Sequence, residues 1–209
     1  MSTDRADPLA LAPSTASTWN IANALTVFRL VLVPFFAAAL LVDDGNRAGW
    51  RVTAWALFAL ASWTDRLDGQ LARSRNLVTS FGKLADPIAD KALTGTALVG
   101  LSLLGELPWA VTALVLVREV GVTLLRFWVI RHGVIPASRG GKLKTLLQGV
   151  AIGLYVLPLS GLLASSRAAV MVLAVVVTVV TGVDYVARAL TLRQTSERAA
   201  MKRARRAAP

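Results

Sequence analysis

The sequence predicts an all-α integral membrane protein with six transmembrane helices. First, 55% of the residues are hydrophobic, although the formal net charge is +11. Second, the apolar residues lie in runs of about 20, the length that crosses a bilayer as a helix, and the basic residues lie between these runs. A soluble domain rarely combines such apolarity with such charge. Runs of this length form helices rather than the strands of a closed barrel, the other fold that lipid permits.

Six runs meet this criterion, and they divide the chain into three regions. The first 19 residues carry Asp4, Asp7, Pro8 and Pro13 without a basic start before an apolar run, so we predict a disordered cytosolic lead rather than a signal peptide. Residues 20–191 form the transmembrane domain, and 192–209 form a basic cytosolic tail. The spans are predicted at 21–42, 52–71, 83–104, 109–130, 143–163 and 168–190.

Basic residues predict the orientation of these spans, because cytoplasmic loops are enriched in Lys and Arg. Only Arg47, Arg51 and Arg167 lie on one side, whereas the connections 72–83 and 131–144 and the tail place many cations on the other. We therefore expect a multi-pass protein of the cell membrane with both termini in the cytoplasm. The tail should contact anionic lipid head groups. Nucleic-acid binding is not expected, because the tail directly follows a span.

Four aspartates form the most informative pattern of the chain: Asp65, Asp68, Asp86 and Asp90. Asp65 and Asp68 are three residues apart and Asp86 and Asp90 are four apart, so each pair lies on one helix face. The first pair lies near the cytoplasmic end of the second span, and the other near the cytoplasmic start of the third. A short loop makes these helices antiparallel neighbours, so all four carboxylates should lie at one depth, just inside the membrane.

Carboxylates at this depth predict a metal site. Each costs about 2.5–3.5 kcal/mol at the bilayer centre and less near the interface, and four together repel unless cations lie between them. The chain has no cysteine, and hard oxygen ligands suit Mg²⁺ or a similar ion such as Mn²⁺. Two such ions could stabilise an in-line displacement at phosphorus. The alternative is structural ion pairing of these acids with Arg66, Arg73 and Lys91.

A cation transporter is the competing function of another class. Transport predicts acidic residues spread across the bilayer and often repeated in two halves of the chain. Here the acids cluster at one end, and the second half of the sequence has no matching set. The pattern therefore favours an enzyme site.

The run from Asp65 to Asp90 resembles the signature of the CDP-alcohol phosphatidyltransferases, D-x2-D-G-x2-A-R-x8-G-x3-D-x3-D, at all eight fixed positions. The resemblance implies the six-helix membrane fold of that family, usually a homodimer, with a polar cavity open to the cytoplasm. It also implies a reaction in which two divalent metal ions assist transfer of a phosphatidyl group to an alcohol.

Residue roles follow from the same resemblance by position. Asp65, Asp68 and Asp86 correspond to metal ligands, and Asp90 to the general base, which also touches the second metal. The CDP group of CDP-diacylglycerol is expected at Gly69, Ala72, Arg73 and Thr79. Gly69 and Ala72 have the alternative role of letting spans pack closely, and Arg73 that of a topology marker.

Outside the signature, the likeness narrows to one branch of the family. Asn20-Ile21-Ala22-Asn23-Ala24-Leu25-Thr26, followed by Arg29 and Pro34, is similar to the N-x-P-N-x-L-T-x2-R-x4-P opening of phosphatidylglycerophosphate synthases, with Ala22 in place of the proline. Asn20 and Asn23 would then join the CDP-diacylglycerol site. Segments 86–91, 118–119 and 141–145 also resemble that branch, and the likeness extends from about residue 20 to residue 188.

Several cations near the carboxylates suggest an anionic acceptor, because Arg and Lys bind phosphate well. Glycerol 3-phosphate fits, giving phosphatidylglycerophosphate and CMP; inositol phosphate and phosphatidylglycerol are the alternative acceptors. The loop cations could instead only orient the protein, and Arg118 could only pair with Glu119. We assign no role to Asp184, Tyr185 or Arg188. The expected phosphate ligands are Arg118, Arg126, Arg139, Lys142 and Lys144.

Overall fold

The computed structural model describes the backbone of residues 20–74, 79–129 and 139–207. The predicted lead at 1–19 lies outside these ranges. Side chains are described throughout them except at residues 22, 68–74, 80, 81, 83, 84, 126, 127, 139 and 195–207.

Within these residues the fold is all-helical, with six α-helices, one short 3₁₀ helix at Val42–Gly45 and no strand, which confirms the all-α part of the prediction. The α-helices are α1 (Ile21–Leu41), α2 (Ala48–Ser74), α3 (Ser80–Leu103), α4 (Trp109–Val129), α5 (Arg139–Val156) and α6 (Gly161–Ala207).

Two helix starts carry side-chain caps. The Asn20 side chain accepts a hydrogen bond from the backbone N–H of Asn23 at 2.9 Å, and the Thr79 hydroxyl accepts one from Gly82 N–H at 3.0 Å. Each cap satisfies one of the backbone N–H groups that a helix start leaves without a partner. The caps fix where α1 and α3 begin, and the site described below lies beside both.

The last two helices differ most from the predicted spans. The fifth span was expected at residues 143–163, but α5 ends at Val156, two residues before Pro158. A proline lacks the N–H that the helix would use and restricts the residue before it, so a helix commonly ends there. The sixth span was expected at 168–190, whereas α6 begins at Gly161 and continues to Ala207 through the basic tail.

Within the part of the chain that the structure describes, two stretches are long and apolar enough to cross a membrane by length and composition, Asn23–Gly45 and Gly161–Gln194. The six-span topology therefore stays a prediction. Many large apolar side chains nevertheless face outward on the other helices as well, such as Trp63, Ile88, Val117 and Leu124, each more than half exposed. Such an apolar surface suits contact with lipid better than contact with water.

Helix α1 packs extensively along both α2 and α3, whereas α2 and α3 touch each other over a smaller area. Helix α6 packs along α5 and α4, and these two helices join the groups, since α5 contacts α2 and α3 and α4 contacts α3. Phe36, Leu40, Leu98 and Ile152 are fully buried within the core. The packing brings the start of α1, the end of α2, the start of α3, the end of α4 and the start of α5 to one end of the bundle, here called the site end.

The opposite end is closed by a charge cluster that the sequence did not predict. Arg51 is buried and donates to the carbonyl oxygens of Val156 at 2.8 Å and Tyr155 at 2.5 Å, and it forms an ion pair with Glu106. Arg167 binds the second Glu106 oxygen at 2.9 Å and lies 4.8 Å from the centre of the Tyr155 ring. Arg51 and Arg167, expected only as markers of topology, thus tie α2, the α3–α4 connection, α5 and α6 together.

Candidate active site

A polar stripe along α1 organises the site end. Asn20, Asn23, Thr26 and Arg29 follow one another at intervals of three residues. A helix turns 100° per residue, so each step of three moves the side chain about 60° around the axis. The stripe therefore sweeps from the α3 side of α1 toward its α2 side, and the contacts follow this order.

The first contacts join α1 to the start of α3. The Thr79 hydroxyl donates to the Asn23 side-chain oxygen at 2.9 Å while it also caps Gly82. A Cβ atom at Gly82 would lie 2.9 Å from that Asn23 oxygen and 3.3 Å from the Thr79 hydroxyl. Only glycine leaves room for this approach of α1 and α3, which gives Gly82 of the signature a packing role.

The next two contacts reach the aspartates. The Thr26 hydroxyl donates to Oδ1 of Asp86 at 2.5 Å. Arg29 is fully buried, and its Nη1 lies 2.7 Å from Oδ1 of Asp65, whose side chain is 42% exposed. Helix α1 therefore positions one carboxylate on each neighbouring helix, and the buried Arg29 supplies a counter-charge to the partly exposed Asp65.

Asp65 and Asp90 line one cavity of about 250 Å³ between α1, α2, α3, α4 and α5. Its wall also includes Arg29, Glu119, Lys144 and Gln148. A second, wider cavity of about 740 Å³ shares Asp65, Glu119 and Lys144 with the first, and it is also bounded by Arg118, Lys142 and Tyr185. Carboxylates and cations thus face connected space at the site end.

The cations on this wall are partly neutralised. Glu119 forms an ion pair with Lys144 and lies 3.2 Å from Nη1 of Arg118, whose Nη2 donates to the Thr181 hydroxyl at 3.1 Å. The side chains of Arg118 and Lys144 are mostly buried, whereas Lys142 is exposed. The predicted pairing of Arg118 with Glu119 is therefore present, together with a second partner, Lys144, from α5.

The predicted metal ligands are placed only in part. Among the described side chains, no three of the Asp, Glu, His or Cys type are grouped as a metal site. The predicted set includes Asp68, whose side chain lies outside the described residues, so the set stays a prediction. Asp65, Asp86 and Asp90 offer oxygen donors only, a donor type that suits Mg²⁺ or Mn²⁺.

The other predicted site residues also fall into two groups, those whose side chains the structure describes and those whose side chains it does not. Arg118, Lys142 and Lys144 of the expected acceptor site line the wider cavity, and Asn20, Asn23 and Thr79 lie together where α1 meets α3. Asp184 and Arg188, to which no role was assigned, form an ion pair within α6 at 2.9 Å. Besides Asp68, the predicted positions outside the described side chains are Gly69, Ala72, Arg73, Arg126 and Arg139.

Thr26, Arg29 and Gln148 were not predicted as site residues, although all three contact or line the site. For Thr26 and Arg29 a signal existed, because polar residues every three positions in an apolar helix indicate one functional face. Gln148 carries no such signal, since only packing reveals that it faces the cavity.

Comparison with known proteins gives consistent results. A family model described as CDP-alcohol phosphatidyltransferase matches residues 19–180. A protein of Mycobacterium tuberculosis (strain H37Rv) named "Probable phosphatidylglycerophosphate synthase" is 60% identical over 181 residues, which cover 85% of this chain and 87% of that protein. Proteins named "CDP-diacylglycerol--glycerol-3-phosphate 3-phosphatidyltransferase" are similar at 38% identity in Rickettsia felis, over 68% of this chain and 77% of that protein. One in Bacillus subtilis is 36% identical, over 66% and 77%.

Proposed function

The chain belongs to the CDP-alcohol phosphatidyltransferase family, and we propose that it transfers the phosphatidyl group of CDP-diacylglycerol to glycerol 3-phosphate. The names of its relatives support this acceptor. The observation in the structure that carries the proposal is the connected cavity space at the site end. Two signature aspartates line it on one side, and Arg118, Lys142 and Lys144 line it on the other. An acceptor with a hydroxyl and a phosphate needs both kinds of group.

The acceptor phosphate binds on the cationic wall. Lys142 is exposed in the wider cavity and can meet a phosphate that arrives from the cytoplasm. Lys144 and Arg118 lie deeper and are held by Glu119, so their orientation is set before the substrate arrives. Such preorganisation lowers the entropy cost of binding.

The chemical step is a displacement at phosphorus. Asp90 accepts the proton of the acceptor's primary hydroxyl, and the oxygen forms a bond to the phosphorus that carries the diacylglycerol. The bond from that phosphorus to the bridging pyrophosphate oxygen breaks, and CMP leaves with the electron pair. Arg73, which the family likeness assigns to the CDP site, stabilises the charge on the leaving group. The products are phosphatidylglycerophosphate and CMP.

Asp65, Asp68, Asp86 and Asp90 would hold two divalent ions, Mg²⁺ or Mn²⁺. When bound, such ions supply positive charge that neutralises the pyrophosphate. The chain's own contribution is to hold the acids: Arg29 orients Asp65, and Thr26 orients Asp86. We further propose that the enzyme is a homodimer in the cell membrane, with six spans and a cytoplasmic site, as the family likeness and the positive-inside pattern indicate.

An acceptor panel tests the proposal. Purified enzyme is supplied with CDP-diacylglycerol and glycerol 3-phosphate, inositol phosphate or phosphatidylglycerol, with Mg²⁺, with Mn²⁺ or with a chelator, and CMP release is measured. We expect turnover with glycerol 3-phosphate that the chelator abolishes. A preference for another acceptor would contradict the acceptor assignment and leave the family intact. Full activity in chelator would contradict the metal assignment.

A further inference from the structure

Gln148 of α5 is a buried polar side chain without an assigned task. Its exposed fraction is 6%, and its Oε1 atom has no hydrogen-bond partner within the described part of the chain. It also lines the 250 Å³ cavity that contains Asp65 and Asp90. Buried side-chain oxygens in native proteins are nearly always satisfied, by protein, water or ligand. The amide is therefore placed to accept a hydrogen bond from something that enters the cavity.

The neighbours of Gln148 indicate what that partner is. Lys144 lies one turn earlier on the same helix face and lines the same cavity, with Asp90 contributed by α3. Under the proposed function, Lys144 binds the acceptor phosphate and Asp90 takes the proton of its primary hydroxyl. One turn of helix is about 5.4 Å, which is on the scale of a three-carbon acceptor. The one group of glycerol 3-phosphate that still has no partner in the site is the uncharged hydroxyl on its middle carbon.

We propose that Gln148 determines acceptor specificity by accepting a hydrogen bond from the secondary hydroxyl of the acceptor. This inference rests on the proposed function. A neutral amide suits a neutral hydroxyl, because burying two neutral groups avoids the cost of removing water from a charge. An acceptor that lacks the secondary hydroxyl leaves the amide buried without a partner, and sites built in this way reject such analogues.

The test compares two acceptors on the full-length enzyme: glycerol 3-phosphate, and 3-hydroxypropyl phosphate, which keeps the phosphate and the primary hydroxyl but lacks the secondary one. We expect the native enzyme to prefer glycerol 3-phosphate by roughly 5- to 100-fold in kcat/KM. In Gln148→Leu, an apolar side chain of similar size, the preference should fall toward one. The loss should come from a lower kcat/KM on glycerol 3-phosphate.

Thr145→Val is the matched control. Thr145 lines the same cavity on the same helix, but its hydroxyl donates to the Gly141 carbonyl at 3.1 Å. Removal of the Thr145 hydroxyl should leave the ratio of the two kcat/KM values unchanged. Because the readout is a ratio on one enzyme preparation, a general loss of folded protein cancels.

Two outcomes would overturn the inference while the proposed function stands: equal kcat/KM for both acceptors in the native enzyme, or the native preference retained in Gln148→Leu. The second would mean that Gln148 binds only water. If Gln148→Leu fails to fold, the unbranched Gln148→Met variant replaces it, and the native ratio remains decisive on its own. Failure of the native enzyme to use either acceptor would instead overturn the proposed function, and the inference with it.

Discussion

Asp65, Asp86 and Asp90 belong to one signature, yet their partners differ. Asp65 binds buried Arg29, and Asp86 binds the Thr26 hydroxyl. Asp90 lines the cavity opposite Lys144 and Glu119. Helix α1 thus contacts Asp65 and Asp86 directly, whereas Asp90 faces the cavity beside the cations proposed to bind the acceptor. This difference supports the proposed division of labour, in which Asp90 is the base.

Asp90→Asn tests this division. The amide keeps the size of the side chain but cannot accept the proton, so turnover should fall by roughly 100- to 10,000-fold. Binding of CDP-diacylglycerol should persist. CMP release gives the rate, and binding of radiolabelled CDP-diacylglycerol gives the affinity.

The matched control is Asp184→Asn, because Asp184 forms its ion pair with Arg188 on α6 and lines neither of the two site cavities. It should retain native turnover. Near-native activity of Asp90→Asn would mean that another group removes the proton.

Lys142→Ala tests the cationic wall. Lys142 is exposed in the wider cavity, so its loss leaves no buried partner unpaired and should not affect folding. A charged hydrogen bond contributes about 1.5–3 kcal/mol, so the KM for glycerol 3-phosphate should rise roughly 10- to 100-fold. The KM for CDP-diacylglycerol should change little.

Steady-state kinetics with each substrate varied in turn measures both effects. Arg188→Ala removes an exposed cation that lies outside both cavities and should leave both KM values unchanged. An equal rise in the two KM values for Lys142→Ala would argue against a specific phosphate contact.

At this scale the sequence predicted a set of acidic residues but not their partners. Spacing and residue type pointed to Asp65, Asp86 and Asp90, because acidic residues at helical intervals in an apolar chain are costly and are usually functional. Spacing could not predict that Glu119 bridges Arg118 and Lys144, since that contact joins α4 to α5. Contacts between helices depend on packing angles that single-sequence patterns do not contain.

At the scale of elements, α1 is the helix that connects the site residues of its neighbours. It packs along α2 and α3, and its polar stripe meets Thr79 and Asp86 on α3 and Asp65 on α2. The sequence predicted that α2 and α3 would be direct neighbours. They do touch, but α1 packs more extensively against each than they pack against each other. The signature acids thus depend on a helix outside the signature.

Gly82→Ala tests this dependence. The added Cβ would meet the Asn23 oxygen at 2.9 Å and the Thr79 hydroxyl at 3.3 Å, so α1 and α3 must separate or the Thr79–Asn23 hydrogen bond must break. Either change moves the Thr26–Asp86 contact nearby. We expect a loss of activity of about tenfold or more, since small displacements of catalytic groups are costly. CMP release measures it.

Gly121→Ala is the matched control, because a Cβ at Gly121 of α4 meets nothing within 4 Å. Alanine in a helix interior is more stable than glycine by roughly 0.5–1 kcal/mol, so this variant should be active and slightly more stable. Native activity in Gly82→Ala would show that the close approach of α1 and α3 is dispensable.

The helix ends reveal which features the hydrophobic pattern misses. The pattern placed the starts and ends of the first four helices within about four residues, as expected for such boundaries. It extended the fifth span beyond Val156 because Leu157, Leu159, Leu162 and Leu163 continue the apolar run. Apolar character alone does not register that Pro158 cannot continue the helix.

On the scale of the whole molecule, polar groups cluster at both ends of an apolar bundle, and their role differs between the two ends. The site end presents acids and cations to connected cavities. At the opposite end, Arg51, Glu106 and Arg167 satisfy one another and two α5 carbonyl groups. Those carbonyls belong to the last turn of α5, where a helix has no backbone partners of its own. We interpret the opposite-end cluster as a clamp that holds α2, α5 and α6 in place.

Glu106→Gln separates the two ends experimentally. Loss of the charge leaves buried Arg51 with neutral acceptors only, among them the Tyr155 and Val156 carbonyls, and removes the anionic partner of Arg167. Breaking a buried pair costs about 3–5 kcal/mol, and the retained carbonyl bonds should reduce this to about 2–3 kcal/mol. For a chain of this size the unfolding midpoint in detergent should fall by roughly 5–10 °C, while kcat and both KM values at low temperature stay within about twofold of native.

Asp43→Asn is the control: it removes an exposed pair with Arg47 at the same end, and asparagine tolerates the φ of 50° found at Asp43. Exposed pairs contribute at most about 1 kcal/mol, so its midpoint should shift by less than roughly 3 °C. Equal shifts in the two variants would mean that the cluster is no clamp. A fall in kcat of Glu106→Gln while the protein is still folded would mean that the two ends are coupled, and the division of the molecule into a catalytic end and a structural end would then be wrong.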